Sequence, residues 1–378
     1  KSCDLKRNCL EKIYQSQRID ESEQTPLIMS VGWTAAIGHI GFLGVFLTAQ
    51  ELGILSNQKR LISTKTSSEQ ERIETIFQDK FMSLKSAHSF SILEHPSQWH
   101  LSERLSMIRK DSSFISLYDM WEQVFTKLNA NHSRTKISLS EKYIETAVKQ
   151  LTLLGLPKDA WFVGLHIREK PNQLDPRTAS VDNFKSAVAH IISEGGWVIR
   201  FGADKMKPLP VTKNVLDLNL DTPTFRSLHL YILAKSRFFL TTNSGPAMLA
   251  AALNTPVLQT NTLSIGRNLL TTSSGSLYLP KVWELKGRKL SFGEIVTSPE
   301  GYSETDLRQK SKCGYSLFEN SESDILNATM DMFETSDTGD VESSEMRKLN
   351  SRRKETEAVG FGQIAPTFLR KNESWFLA

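Results

Sequence analysis

Residues 161–169 read WFVGLHIRE, and this stretch decides the fold. Residues 161–167 form a near-continuous apolar run of strand length that breaks off into polar side chains. A strand without polar alternation is covered on both faces, as parallel sheets between helical layers are. The grammar outward from it agrees. Residues 181–193 read as an amphipathic helix stopped by Gly195-Gly196, WVIRFG (197–202) as a second strand and NVLDLN (214–219) as a third. Residues 228–235 predict a helix, RFFLTT (237–242) a fourth strand, 245–253 a helix and PVLQT (256–260) a fifth strand. This alternation is that of a doubly wound α/β unit, whose ligands bind outside the carboxyl ends of the strands.

Upstream, LIMSVGW (27–33) reads as a strand, followed by a glycine-bearing turn and an apolar helix over 40–52. RLIST (60–64) predicts a strand, 68–81 a charged helix, FSIL (90–93) another apolar run and 112–129 a helix. Residues 138–154 are a helix with Leu139, Tyr143, Ala147 and Leu151 on one face, ending at Gly155 and Pro157. The expected domains are therefore 1–156 and 157–335. Beyond a helix at 324–333, residues 335–358 are acidic and then basic and predict a surface segment or linker without a core. The aromatic end, FGQIAPTFLRKNESWFL, is expected to pack back on the body, so that 336–378 form a linker and a closing segment.

The 378 residues carry 46 basic and 42 acidic side chains, a net charge of +4 that is too small an excess to argue by itself for nucleic acid, and no nucleic-acid partner is expected. With 39% hydrophobic and 23% charged residues, the composition is that of a globular protein. Cys3, Cys9 and Cys313 make no disulfide framework and no zinc pattern, which fits a reducing compartment. The first residues lack the apolar core of a signal peptide. The most apolar stretch, 35–55, is interrupted by His39, Gln50 and Glu51 and reads as a buried helix rather than a membrane span. A cytoplasmic location is expected, with peripheral membrane contact left open.

Three places offer chemistry. His166, Arg168 and Glu169 close the strand at the sheet edge where α/β ligands sit, and an arginine there suits a diphosphate through its planar fork. The alternative is an ordinary charged strand end. Second, Thr241-Thr242-Asn243-Ser244-Gly245-Pro246 follows an apolar strand and opens a helix; its hydroxyls and free backbone N–H groups suit an anion, or merely cap the helix. Third, the turn Trp33–His39 is neither GxGxxG nor a P-loop; Gly38 and His39 either approach a ligand or serve packing and capping. Asp217, Asn219 and Asp221 look like a strand running into a loop. No D-x-D, G-x-S-x-G or HExxH pattern occurs, so neither a metal bridging a diphosphate nor a serine-hydrolase elbow is expected. His88, His95, His100, His132, His190 and His229 show no metal-ligand spacing and read as structural.

The second half resembles a bacterial family of glycosyltransferases with the GT-B fold, found in surface-polysaccharide settings. The resemblance rests on GLHIRE, PRTASVDNF, GGWVIRFGADKMKPLP, SRFFLTTNSGP, NTPVLQTN, LYLPKVWELKGRKLSFGEI and the closing FGQIAPTFL, in that order. Its HxR is similar to that of fucosyltransferase-type enzymes. Thr178 and Ser180 stand where the pattern leads one to expect Asn and Asp, whereas Arg177 and Asp182 are kept. The resemblance implies two Rossmann-like domains facing a cleft, the first presenting the acceptor and the second binding a nucleotide-sugar. It implies transfer of the sugar to a glycan, lipid-linked or protein hydroxyl, by inversion and without metal or other cofactor. Donor contacts would come from His166, Arg168, Arg177, Gly202, Lys207, Asn243, Ser244, Gly245 and Lys281, and acceptor-side contacts from Gly38 and His39. Arg168 would stabilise the leaving diphosphate, and Glu169, Asp182 or His39 would serve as base. A nucleotide-sugar epimerase or hydrolase of the same fold, or an inactive sugar-binding or scaffold module, are the alternatives.

Overall fold

The computed structural model describes residues 27–29, 37–54, 60–63, 67–77, 82–84, 107–108, 114–115, 123–124, 127, 137–169, 175–202, 206–210, 212–219, 223–263, 275–298, 314–338, 344–355 and 363–377. The chain divides into two compact units, Lys1–Ser140 and Glu141–Ala378.

In the first unit, β1 (Leu27–Met29), α1 (Ile37–Glu51), β2 (Arg60–Ser63), α2 (Ser67–Phe77) and β3 (Met82–Leu84) form a βαβαβ run with all three strands parallel. α1 is apolar around its circumference and buries Ile40, Phe46, Leu47 and Ala49. It begins at Ile37, so Gly38 and His39 lie in its first turn rather than in the turn expected before it. A short antiparallel pair joins β4 (Met107–Ile108) to β5 (Phe114–Ile115), and β5 falls within the stretch read as a helix over 112–129. The run FSIL and His88, His95, His100 and His132 lie outside the described residues. Among the described residues no helix is long and apolar enough to cross a membrane.

The second unit begins with α3 (Glu141–Leu153), which the sequence reading assigned to the domain before it. Then follow β6 (Phe162–His166), a 3-10 turn (Val181–Phe184), α4 (Lys185–Ser193), β7 (Trp197–Gly202), β8 (Val215–Asn219), α5 (Pro223–Lys235), β9 (Phe239–Thr242), α6 (Gly245–Ala252) and β10 (Val257–Thr262). These match the expected strands and helices closely. Next come β11 (Leu277–Pro280), β12 (Val282–Leu285), β13 (Arg288–Lys289), α7 (Phe292–Thr297), β14 (Tyr315–Phe318), α8 (Glu322–Thr338), α9 (Ser344–Glu355), β15 (Gln363–Ile364), α10 (Pro366–Lys371) and α11 (Glu373–Leu377). The main sheet has seven strands in the order β15-β11-β10-β9-β6-β7-β8, all pairs parallel. From β6 the chain adds strands to one side as far as β8. It then returns to β9, next to β6, and builds the other side. The unit is a Rossmann-like, doubly wound α/β sheet whose order reverses between β6 and β9. β12, β13 and β14 form a small antiparallel sheet beside it, its hairpin turned by Lys286 and Gly287 at φ 51° and 81°.

One sheet face, carrying Val163, Leu165, Ile167, Leu240 and Leu258, shares a core with Ala187 and Ile191 of α4 and with Ile325, Ala328 and Met332 of α8. The other face carries Gly164, where an added Cβ would stand 2.7 Å from Ser236 Oγ and 3.0 Å from Ile232 Cγ2. Glycine there lets α5 press directly against the strand. The segment 335–358 corrects the expectation of a coreless linker. α8 runs on to Thr338, and α9 buries Met346 and Leu349 in the main core. Two apolar side chains three residues apart on one helical face suffice to dock an otherwise charged helix. The closing aromatics Phe368, Trp375 and Phe376 fill the same core, Trp375 Nε1 donating to Leu290 O at 2.7 Å.

Leu349→Ala is expected to cost about 2–4 kcal/mol, the usual range for emptying a buried leucine site. Thermal unfolding measures it; an unchanged melting temperature would return the segment to the status of a linker.

Candidate functional site at the sheet's switch point

The last rung between β6 and β9 pairs His166 with Thr241. Because the chain leaves these strands toward opposite sides of the sheet, a crevice opens at their carboxyl ends. His166 Nδ1 lies 3.1 Å from Ser244 Oγ, which lies 2.9 Å from Thr241 Oγ1. Thr241 Oγ1 donates to Thr242 O at 3.1 Å. With that donation made, Ser244 donates to Thr241 and accepts from His166 Nδ1–H, leaving Nε2 as an acceptor; the reversed relay leaves Nε2 protonated. Ser244 occupies the N-cap position of α6 in extended backbone (φ −147°, ψ 157°), yet its side chain makes no cap bond. The hydroxyl therefore ties two strand ends together instead of capping the helix.

Burial lowers the pKa of His166 to about 4, and the charges of Arg168 and Arg200 push in the same direction. The imidazole is neutral at pH 7 and rests against the Phe201 ring, centroids 5.6 Å apart.

Arg168 begins the next arc. Its N–H donates to Thr242 Oγ1 at 2.9 Å, fixing the chain as it leaves the sheet. Its Nε and Nη2 donate to Asp175 Oδ2 at 3.2 and 3.0 Å. Arg177 grips the same carboxylate, Nη2 to Oδ2 at 2.8 Å and both Nε and the backbone N–H to Oδ1 at 3.0 Å. The two guanidinium groups hold Asp175 well below the ordinary carboxylate range despite its partial burial. The turn is anchored by Ala179 N–H donating to Arg168 O at 3.0 Å, and by Lys281. Lys281 is 3% exposed, and its Nζ donates to Pro176 O at 2.9 Å and Thr178 O at 3.1 Å. Expected as a phosphate contact, it is a buried clamp beneath the turn, and burial lowers its pKa.

Glu169 Oε2 accepts from the backbone N–H of Lys207 at 2.8 Å. Lys207 Nζ pairs with Asp182 Oδ2 at 2.6 Å, and Lys185 Nζ stands 2.7 Å from Asp182 Oδ1. Bonds from Lys185 and Lys207 hold Asp182 at a pKa of about 2, which makes it a poor acceptor for a proton from a hydroxyl. Asn243 Oδ1 accepts from Gln259 Nε2 and from Leu263 N–H, both at 3.3 Å, so it links β9 to β10. Gly245 opens α6. At Gly202 an added Cβ would fall 2.0 Å from Met206 Sδ, so the Met206 side chain packs directly over that backbone. Gly38 and His39 belong to α1 of the other unit, Gly38 being buried. His190 and His229 lie against rings, of Phe333 and Phe201 respectively.

The residue missed from sequence is Arg200. It sits on β7 in register with Leu165, 1% exposed. Its Nη1 donates to Lys207 O at 2.7 Å and Asp217 Oδ2 at 3.0 Å, while its Nε and Nη2 find no partner among the described residues. An arginine amid the apolar run WVIRFG was the available signal. Among the described residues no three His, Cys, Asp or Glu side chains gather into a metal cradle.

No protein-family model matches the chain, and no curated protein does. Among solved structures it is similar to a dodecameric iron-containing glycosyltransferase from enterotoxigenic E. coli, with 14% identity, 66% of this chain and 61% of that one covered, and a TM-score of 0.39. It is also similar to the E. coli ADP-heptose LPS heptosyltransferase II (11% identity, 68% and 90% covered, TM-score 0.47) and to a family 9 glycosyl transferase of Veillonella parvula (13%, 80% and 80%, 0.38). The match spans about three fifths of the length of the first of these. These are partial likenesses of chain path; what the site can do follows from its own geometry.

The low folded pKa of His166 has a sign. The unfolded chain binds the proton first, so stability is lost as pH falls from about 6.5 to about 4 and levels off below that. The loss reaches about 3 kcal/mol. Melting curves across this window are expected to slope in the native protein and to flatten in His166→Asn.

Proposed function

We propose that the chain is a glycosyltransferase of the GT-B kind, moving a sugar from a nucleotide-sugar donor to a glycan, lipid-linked or protein hydroxyl without a metal. The supporting observation is the convergence of two guanidinium forks, a neutral imidazole and two hydroxyls on one sheet edge, at the point where the strand order reverses. Doubly wound sheets bind nucleotides at this place. As the bond from the anomeric carbon to the donor's diphosphate breaks, negative charge grows on the departing phosphate oxygen. Arg168, its backbone already fixed to Thr242, supplies a preorganised planar donor pair for that charge. His166 adds a hydrogen bond without a charge, held in orientation by Ser244. The acceptor hydroxyl attacks the anomeric carbon from the opposite side, which inverts its configuration, and loses its proton to a base. Glu169 is the base this unit offers; Asp182 is disfavoured by its two lysines.

Thermal-shift measurements with ADP-heptose and with GDP-, UDP- and CMP-sugars should reveal one stabilising donor class, since a bound ligand raises stability by mass action. Arg168→Ala should lower transfer by on the order of a hundredfold or more, with circular dichroism unchanged, and Arg168→Lys should not restore it. Transfer should survive EDTA. Loss restored by Mg²⁺ or Mn²⁺ would hand the charge-neutralising role to a cation. Donor consumption without any acceptor would replace transfer with epimerisation or hydrolysis.

A further inference from the structure

Arg168 and Arg177 stand seven and two residues from Asp175, on either side of the turn, and close on one carboxylate. Asp175 Oδ2 accepts from both guanidinium groups, and Oδ1 accepts from the side chain and backbone of Arg177. The arrangement is already the one that recognises an anion: planar forks aimed at an O–C–O edge, which an O–P–O edge of a phosphate reproduces. Besides the bond from Arg177 N–H to Asp175, the backbone behind it has anchors that do not involve the carboxylate. Lys281 holds Pro176 O and Thr178 O, and Ala179 N–H holds Arg168 O. Turning the Asp175 side chain away would leave the backbone that carries both arginines anchored by Thr242, Lys281 and Ala179. Arg168 also keeps Nη1 outside any hydrogen bond among the described residues, and its side chain is 22% exposed, so the seat is reachable from solvent.

We propose that Arg168 and Arg177 form a single anion seat, that Asp175 is its built-in occupant, and that the donor's diphosphate binds by taking Asp175's place. This rests on the reading that Arg168 binds a diphosphate and adds three things: a second arginine, a competing carboxylate and a selection rule. Single-charge anions meet an opponent of equal charge that is covalently tethered; a diphosphate brings more charge and more oxygens and displaces it.

The test is calorimetric binding of inorganic pyrophosphate to the full chain. If the seat is open in about a tenth of the molecules, removing the occupant tightens binding about tenfold. Asp175→Asn is therefore expected to bind pyrophosphate about tenfold more tightly than the native chain. Arg177→Ala should weaken binding in both the native and the Asp175→Asn background. Acetate should bind the native chain poorly and Asp175→Asn measurably. Equal or weaker pyrophosphate binding by a folded Asp175→Asn would overturn the proposal, leaving Asp175 as a brace that orients the forks. Should that variant not fold, the native chain decides through nuclear magnetic resonance. On adding pyrophosphate, the Asp175 carboxyl carbon and the Arg168 and Arg177 Nε–H signals all shift if the carboxylate leaves, and the carboxyl signal stays if it does not. The underlying reading is tested separately. If Arg168→Ala binds pyrophosphate as the native chain does, or if neither binds it, that reading fails with the proposal. If Arg168→Ala loses binding and Asp175→Asn gains none, only the proposal falls.

Discussion

The rung that pairs His166 with Thr241 governs what this edge of the second unit can do. Parallel strands adjacent in space but distant in sequence need long crossovers, and here the crossovers depart to opposite sides. The gap between them is therefore not bridged by the chain's own connections. Both strands reach the rung as buried apolar runs, and α5 lies against Gly164 with no side chain between. The strand ends that carry Arg168 and Ser244 thus hang from a closely packed part of the sheet. Preorganisation of this kind is what catalysis of charge development requires.

Charge at the edge is arranged around that rung. The imidazole is buried, with Arg168 and Arg200 acting on it, and it stays neutral. Arg168 and Arg177 share Asp175; Arg200 has Asp217 and a carbonyl on Nη1 only. A buried guanidinium with two nitrogens unserved among the described residues is costly, and its charge acts on His166. Burial, seconded by the charges of Arg168 and Arg200, keeps a proton off His166, so the neutral ring acts as a hydrogen-bonding group at pH 7.

Much of this was legible in the sequence. The run WFVGLHIRE announces a buried parallel strand because nothing in it alternates, and the polar tail marks the edge where it ends. TTNSGP likewise placed Ser244 at a helix start, but its hydroxyl's true partners depend on strand order, which local sequence does not contain. The resemblance implied a phosphate contact at Lys281; its burial between β11 and β12 shows only in the packed chain. α9 escaped because Met346 and Leu349 are its only deeply buried apolar residues among charges, too few to register as a periodicity. Arg200 escaped because one arginine in an apolar strand resembles a strand boundary until register sets it beside Leu165.

The pairing of two cations with one internal anion also bears on why the site survives without its ligand. Guanidinium groups within reach of a common oxygen repel each other, and in a partly buried place water screens that repulsion weakly. An unliganded seat with no counter-ion would push Arg168 and Arg177 apart, and their ordering would have to be regained at each binding event. Asp175 removes the repulsion while holding both planes toward one point. A diphosphate entering as proposed would oppose the same carboxylate that keeps the arginines ordered. Ordering and competition are therefore two consequences of a single ion cluster, and affinity for the anion is set by their balance rather than by the number of arginines.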